Sequence, residues 1–362
     1  MNQKKSKGVV KVAATPTDRG VIEQYVITNS CGASVGLSTM GAGITSIVVP
    51  DAAGNMADVV IGYDNITDYI CDGPCAGKIP GRYANRIARG HFSLLGKDYE
   101  LELNCGPNHL HGGSSGFQNH NWEVVETGPD SVTFSLHSPE GDSGYPGAVD
   151  VRATYRWDDS CCLTLDIKAV TDAPTVVNLT NHTYFNLAGH DSGCALGHRL
   201  KLNASRYLET DDSLAPTGLM PQVAGTPMDF ATEHTVGRDI NDDFIPLKYG
   251  KGYDHCWVVN GYDGVTETEV AVLTDPKSGR RVTISSNLPG AQVYTGNWLT
   301  GSPLGKGGYD YRDYDAVAIE CQGLPDSPHH KQFPSTVLMP GEELSNTIRF
   351  RFSTVEGTGE QE

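Results

Sequence analysis

The 362 residues carry 38% hydrophobic, 20% charged and 8% aromatic side chains, enough apolar material for a packed core and too much for a disordered chain. With 27 basic against 44 acidic residues the net charge is -17, which repels phosphate backbones and anionic lipid, so neither nucleic acid nor a membrane surface is expected as a partner. No run approaches the ~18 apolar residues of a membrane helix, and the basic start Lys4, Lys5, Lys7 leads into an apolar stretch broken by Lys11, so no signal peptide is read either.

In chain order, residues 1–19 read as a flexible basic extension. A single domain is expected over 20–354, because all-β sandwiches often exceed 200 residues as one unit. Short β-type runs follow at 44–49, 58–61, 99–103, 132–136, 149–157, 163–170, 282–284 and 348–352. Tyr99-Glu-Leu-Glu-Leu103 and Val149-Asp-Val-Arg-Ala-Thr-Tyr155 alternate polar with apolar side chains, the period of antiparallel strands with one wet and one dry face. Asp51-Ala-Ala-Gly54, Gly128-Pro-Asp130, Asp158-Asp159, Asp263-Gly264 and Asp275-Pro-Lys-Ser-Gly279 fall between runs and read as hairpin turns. No helix-period segment exceeds ~12 residues, and residues 355–362 are polar and expected to fray. The fold class is therefore all-β, a large antiparallel sandwich.

The nine cysteines are an odd set spread along the chain, unlike the dense framework of a small secreted domain, and fit reduced thiols in a cytoplasm. Cys71 and Cys75 could be half of a zinc site, but no second pair follows at suitable spacing.

Four separated segments combine titratable and amide side chains with glycine. Gly81-Arg-Tyr-Ala-Asn-Arg-Ile87 places Arg82 and Arg86 around Asn85. Gly106-Pro-Asn-His-Leu-His-Gly-Gly113 places His109 and His111 two apart, on one face if the strand is extended. That pair is open to a metal site, to hydrogen-bonding catalysis or to a structural role. Val177-Asn-Leu-Thr-Asn-His-Thr-Tyr-Phe-Asn-Leu-Ala-Gly189 surrounds His182 with Asn178, Asn181, Asn186 and aromatics; amides and an aromatic face suit a sugar, while asparagines also cap turns. Gly252-Tyr-Asp-His-Cys-Trp257 and Ile319-Glu-Cys-Gln322 set Asp254 and Glu320 beside apolar residues, where a carboxylate is paired or has a raised pKa.

Together with Pro216-Thr-Gly218, Gly225-Thr-Pro227, Gln292-Val-Tyr-Thr-Gly-Asn297, Phe333-Pro-Ser-Thr and Pro340-Gly-Glu-Glu343, these motifs resemble, in order and over residues 20–354, the aldose 1-epimerase (galactose mutarotase) family. The resemblance implies a galactose-mutarotase-like β-sandwich and a free pyranose substrate such as glucose or galactose. It implies Glu320 as proton acceptor and His182 as proton donor. Asn85, Arg86, His111, Thr183, Tyr184, Asp254 and Gln292 would bind sugar hydroxyls, with Arg82 a lesser candidate. No cofactor or metal is implied. A carboxylate and an imidazole straddle neutral pH, so Glu320 is expected ionised and His182 protonated at the start. Gln118-Asn-His120 and Cys321 depart from the family's commoner wording and bear on substrate preference. The alternatives are a carbohydrate-binding or sugar-sensing protein without turnover, an epimerase of hexose 6-phosphates, which needs a cluster of cations for the phosphate, and a metal-dependent β-barrel enzyme using His109 and His111. A monomer or homodimer in the cytoplasm completes the expectation.

Overall fold

In Val149–Trp157 the side chains of Val149, Val151, Ala153, Tyr155 and Trp157 are buried, while Asp150, Arg152 and Arg156 face solvent. Period-two alternation puts every apolar residue on one side of the strand, and that side is the inner face of a sheet. The computed structural model describes residues 7–70 and 72–355. Among them, Val149–Trp157 lies in a nine-stranded antiparallel sheet ordered Glu123–Thr127, Ser131–Ser138, Val149–Trp157, Cys162–Thr171, Leu344–Thr354, Arg280–Ser286, Thr268–Thr274, Arg199–Leu202 and His234–Thr235.

A five-stranded antiparallel sheet covers its apolar face, ordered Tyr184–Phe185, Val317–Gln322, Gly290–Tyr294, Asp254–Val259 and Ala204–Tyr207. The layers interlock through aromatic side chains: Phe185 of the smaller sheet meets Phe350 and Phe352 of the larger at ring-centroid separations of 5.7 and 6.3 Å. Val317, Ile319 and Cys321 join the same apolar cluster as Val151, Tyr155 and Leu165. Burial of each large side chain there contributes roughly 1.5–3 kcal/mol.

A second five-stranded sheet, Gly8–Thr17, Gly20–Thr28, Ser34–Ser38, Gly43–Pro50 and Met56–Asp58, departs from the expected flexible extension. From Gly8 on, the chain is a strand paired with Gly20–Thr28 across Asp18 and Arg19. Its Val and Thr residues favour a pleated strand, but both faces are half wet, so no dry stripe marks it. Residues 1–6 lie outside the described residues, as do 356–362 of the expected frayed tail. Val355 is tied down, its N–H donating to Gly279 O at 2.8 Å.

Predicted runs and observed strands agree closely at 44–49, 132–136, 149–157 and 163–170. The run at 58–61 is displaced: the strand is Met56–Asp58, and Val60 makes only an isolated bridge to Phe185. The run at 99–103 is cut short after Lys97–Glu100, because the Leu101 N–H turns to Gly90 O at 2.6 Å. Asp263-Gly264 is no hairpin turn, since it carries the chain from Asp254–Val259 of the five-stranded sheet to Thr268–Thr274 of the nine-stranded one. The sole α-helix among the described residues is Ile245–Gly250, and no helix is long and apolar enough to cross a membrane.

Candidate active site

The strands that build the site are buried on both faces. Within Val317–Gln322 all six residues are buried; Val317, Ile319 and Cys321 face the sandwich core, so alternation turns Glu320 to the opposite side. The ladder pairs Glu320 with Gln292 and Gln292 with Cys256, and, one pleat on, Tyr184 and Tyr294 with Ala318 and Asp254 with Tyr294. Glu320, Tyr184, Tyr294 and Asp254 thus share one face. They floor a pocket of about 740 Å³.

Two sequence-distant motifs close over this floor through a short ribbon. Arg86–Ile87 pairs with His109–Leu110, Arg86 opposite Leu110, and each strand ends at a residue with positive φ, Asn85 at 63° and His111 at 53°. The His111 N–H donates to Asn85 O at 3.1 Å, and the Asn85 N–H donates to His111 Nδ1 at 3.1 Å. With Nδ1 accepting, His111 is the neutral tautomer with its proton on Nε2. Burial, with His182 and Arg86 beside it, pushes the His111 imidazole well below its ordinary value. Gly112 follows because a side chain there would collide with Gly81 O, 1.9 Å from the Cβ position.

This turn overturns the expectation that His109 and His111 share a face. His109 is 0% exposed, bonded through Nδ1 to Glu102 O at 2.8 Å and packed on Tyr145, while His111 lines the pocket. They are not arranged as two ligands of one ion. Cys75 also lines the pocket wall, buried, whereas Cys71 lies outside the described residues.

His182 sits between floor and lid. Its N–H donates to Lys78 O at 2.9 Å, its ring lies 5.4 Å from His111 and 4.8 Å from Tyr184, and its Nε2 is 3.4 Å from Glu320 Oε1. Glu320 is 2% exposed, and its Oε2 has no hydrogen-bond partner among the described residues. Burial pushes its carboxyl well above the ordinary range; the nearby Asp254 charge adds to this and Arg86 opposes it. Burial likewise holds the His182 imidazole down at about 4. Both directions run against the expected carboxylate and imidazolium, since burial disfavours the charged form of each group.

Asp254 is held from two sides, Arg86 Nη2 donating to Oδ2 at 3.3 Å and Gln292 Nε2 to Oδ1 at 2.6 Å. Among the described residues Arg86 is the one lysine or arginine on the pocket wall, and its pairing with Asp254 neutralises it.

A model of the aldose 1-epimerase family matches residues 23–351. Galactose mutarotase of Mus musculus is 37% identical over 340 residues, covering 93% of this chain and 96% of that protein. Aldose 1-epimerase of Escherichia coli (strain K12) is 33% identical over 326 residues, covering 90% and 93%. The chain belongs to the aldose 1-epimerase family. Its fold agrees: the crystal structure of an aldose epimerase homologue from C. elegans superposes with a TM-score of 0.84 at 31% identity, covering 91% of this chain and 98% of that one. Galactose 1-epimerase from Lactobacillus acidophilus NCFM gives 0.84 at 27% identity, covering 96% and 99%.

Among the residues that resemblance pointed to, Asn85, Arg86, His111, His182, Tyr184, Asp254 and Glu320 line the pocket. Gln292 stands behind Asp254 as its donor. Thr183 is turned away: between His182 and Tyr184 on an extended backbone it faces the other side, its hydroxyl donating to Asn181 Oδ1 at 2.6 Å. The asparagines around His182 are scaffold rather than sugar ligands. Asn178 donates to Ala84 O and Gly323 O, Asn181 to Gly77 O, and Asn186 to Gly193 O and Asp315 O. Tyr294 and Trp298 also line the wall; neither is among the residues to which the resemblance points, although Tyr294 lies two residues beyond Gln292 and so shares its face.

Arg82 is structural. Its guanidinium is buried, donates to the carbonyls of Ser138, Pro139, Pro146 and Gly147, and lies 5.7 Å from the Tyr145 ring. An Arg82→Met variant removes the guanidinium's donations to those carbonyls and is expected to lose about 3 kcal/mol of stability in urea unfolding, while the folded fraction keeps the wild-type KM. A raised KM at unchanged stability would move Arg82 into the site.

A larger groove of about 950 Å³ runs along the edge strands Gly8–Thr17 and Glu123–Thr127. It contains no histidine, and Glu23 in it is engaged by Lys11 and Tyr25. Size alone does not make it the site.

Proposed function

We propose that this protein interconverts the α and β anomers of free aldoses, glucose and galactose among them, by acid–base ring opening and reclosure. The observation that carries the reading is the contact of His182 Nε2 with Glu320 Oε1, at 3.4 Å in the pocket. As carboxylate, Glu320 takes the proton of the C1 hydroxyl, and His182 gives its proton to the ring oxygen, so the bond between C1 and that oxygen breaks and an aldehyde forms. Rotation about the C1–C2 bond presents the other carbonyl face. The two groups, having exchanged protonation states, then close the ring by the reverse transfers.

His111, with its Nε2 proton free for the pocket, and Arg86 steady oxyanion character as the ring opens. Asp254, clamped by Arg86 and Gln292, accepts from sugar hydroxyls and fixes the ring's register. Sugars without phosphate fit best, because a hexose 6-phosphate would need cations beyond the neutralised Arg86. Cytoplasmic residence, which cell fractionation tests, belongs to the same reading.

The test follows the optical rotation of freshly dissolved α-galactose and α-glucose with and without purified protein. Acceleration over the spontaneous rate is expected for at least one sugar. A folded protein that binds sugar yet leaves both rates at background would make it a sugar-binding protein.

A further inference from the structure

Two hairpin turns from different sheets touch at a pair of cysteines. One joins Gly20–Thr28 to Ser34–Ser38; the other joins Val149–Trp157 to Cys162–Thr171. They are docked by an Asn29 Nδ2 bond to Asp158 O at 3.0 Å, a Ser30 N–H bond to Asp159 Oδ1 at 2.9 Å and a Trp157 Nε1 bond to Ala33 O at 3.2 Å. In the seam, Cys31 Sγ lies 3.6 Å from Cys161 Sγ. Asn29 orients both sulfurs, its Oδ1 accepting from Cys31 at 3.0 Å and its Nδ2 donating to Cys161 Sγ at 3.3 Å. A disulfide needs about 2.05 Å; the remaining gap is within reach of side-chain rotation, with both turns already in place.

We infer that Cys31 and Cys161 are a thiol–disulfide exchange site, closed to an intramolecular bond by a low-molecular-weight disulfide such as oxidised glutathione. Cys31 is exposed and attacks first as its thiolate; a mixed disulfide forms and one small thiol leaves. Cys161, half-buried, with its thiol pushed up to about 11 by burial, then loses its proton to water and attacks Cys31 Sγ, and the second small thiol leaves. Two protein S–H bonds become one S–S bond, and the two electrons and two protons pass to the reagent. The bond would join segments 130 residues apart in sequence. It ties the second five-stranded sheet to the nine-stranded one, and does not depend on the sugar chemistry.

The test incubates the reduced, folded chain with oxidised glutathione, blocks the remaining thiols after denaturation and maps the peptides, because exposed Cys194 takes up glutathione independently of the seam. Cys31 joined to Cys161, neither carrying glutathione, is expected, and the same bond in Cys162→Ser. Cys161→Ser is expected to stop at glutathione on Cys31, and Cys31→Ser to keep Cys161 as a free thiol. Closing so long a loop is expected to raise the thermal midpoint by about 5 °C, reversed by dithiothreitol. Glutathione retained on wild-type Cys31, Cys162 as the bonded partner, or an unchanged or lower midpoint would overturn the inference.

Discussion

Replacing Glu320 by Gln is expected to lower kcat about 10²- to 10⁴-fold and to leave galactose affinity within a few-fold of wild type. Gln keeps the shape of the side chain and its place opposite Gln292 in the ladder, so the pocket floor survives. What it removes is the basicity that takes a proton: an amide oxygen is far too weak a base. Stability should not suffer either, because burial already favours the neutral form of the carboxyl, whose Oε2 has no partner to lose, and the neutral amide fills the same place. Polarimetry gives the rate, calorimetry the binding, and thermal unfolding the control. A well-folded Glu320→Gln protein retaining more than about a tenth of wild-type kcat would remove Glu320 from the chemistry.

The parts of the fold that were legible are those with one wet face. Val149–Trp157 alternates because Asp150, Arg152 and Arg156 meet solvent, and the turn residues around it follow local φ preferences. The site strands are the opposite case. Val317–Gln322 and Gly290–Tyr294 are covered on both sides or face the pocket, which erases the alternation, so the sequence shows Glu320 and Gln292 as motifs but not as neighbours on a ladder. His111 was misplaced relative to His109 for another reason. Its positive φ is imposed by the ribbon with Asn85, 26 residues away, and by the tight passage of Gly112 past Gly81, contacts between distant segments that no local pattern carries. The asparagines near His182 illustrate the converse, since a buried amide that ties carbonyls together and an amide that binds a sugar have the same sequence signature.

His182→Asn is expected to reduce kcat by about 10²- to 10⁴-fold as well, and the double variant with Glu320→Gln to be little worse than either single one, because each group is useless without its partner. The pH profile separates this role from mere packing against Tyr184. Burial lowers the His182 pKa to about 4, so as the pH falls through the ordinary histidine value of about 6.5 the ring gains no proton. The charge of the ring does not change there, and kcat/KM stays level. Near pH 4 the ring takes up a proton while burial keeps the Glu320 carboxyl raised above its ordinary range, so no carboxylate remains to accept from the C1 hydroxyl, and the rate falls. Wild type should therefore show an acid limb near 4 that His182→Asn no longer shows in its residual activity. An acid limb at about 6.5 would mean that the imidazole titrates as if exposed to water, and the role of the buried ring as the acid would have to be abandoned.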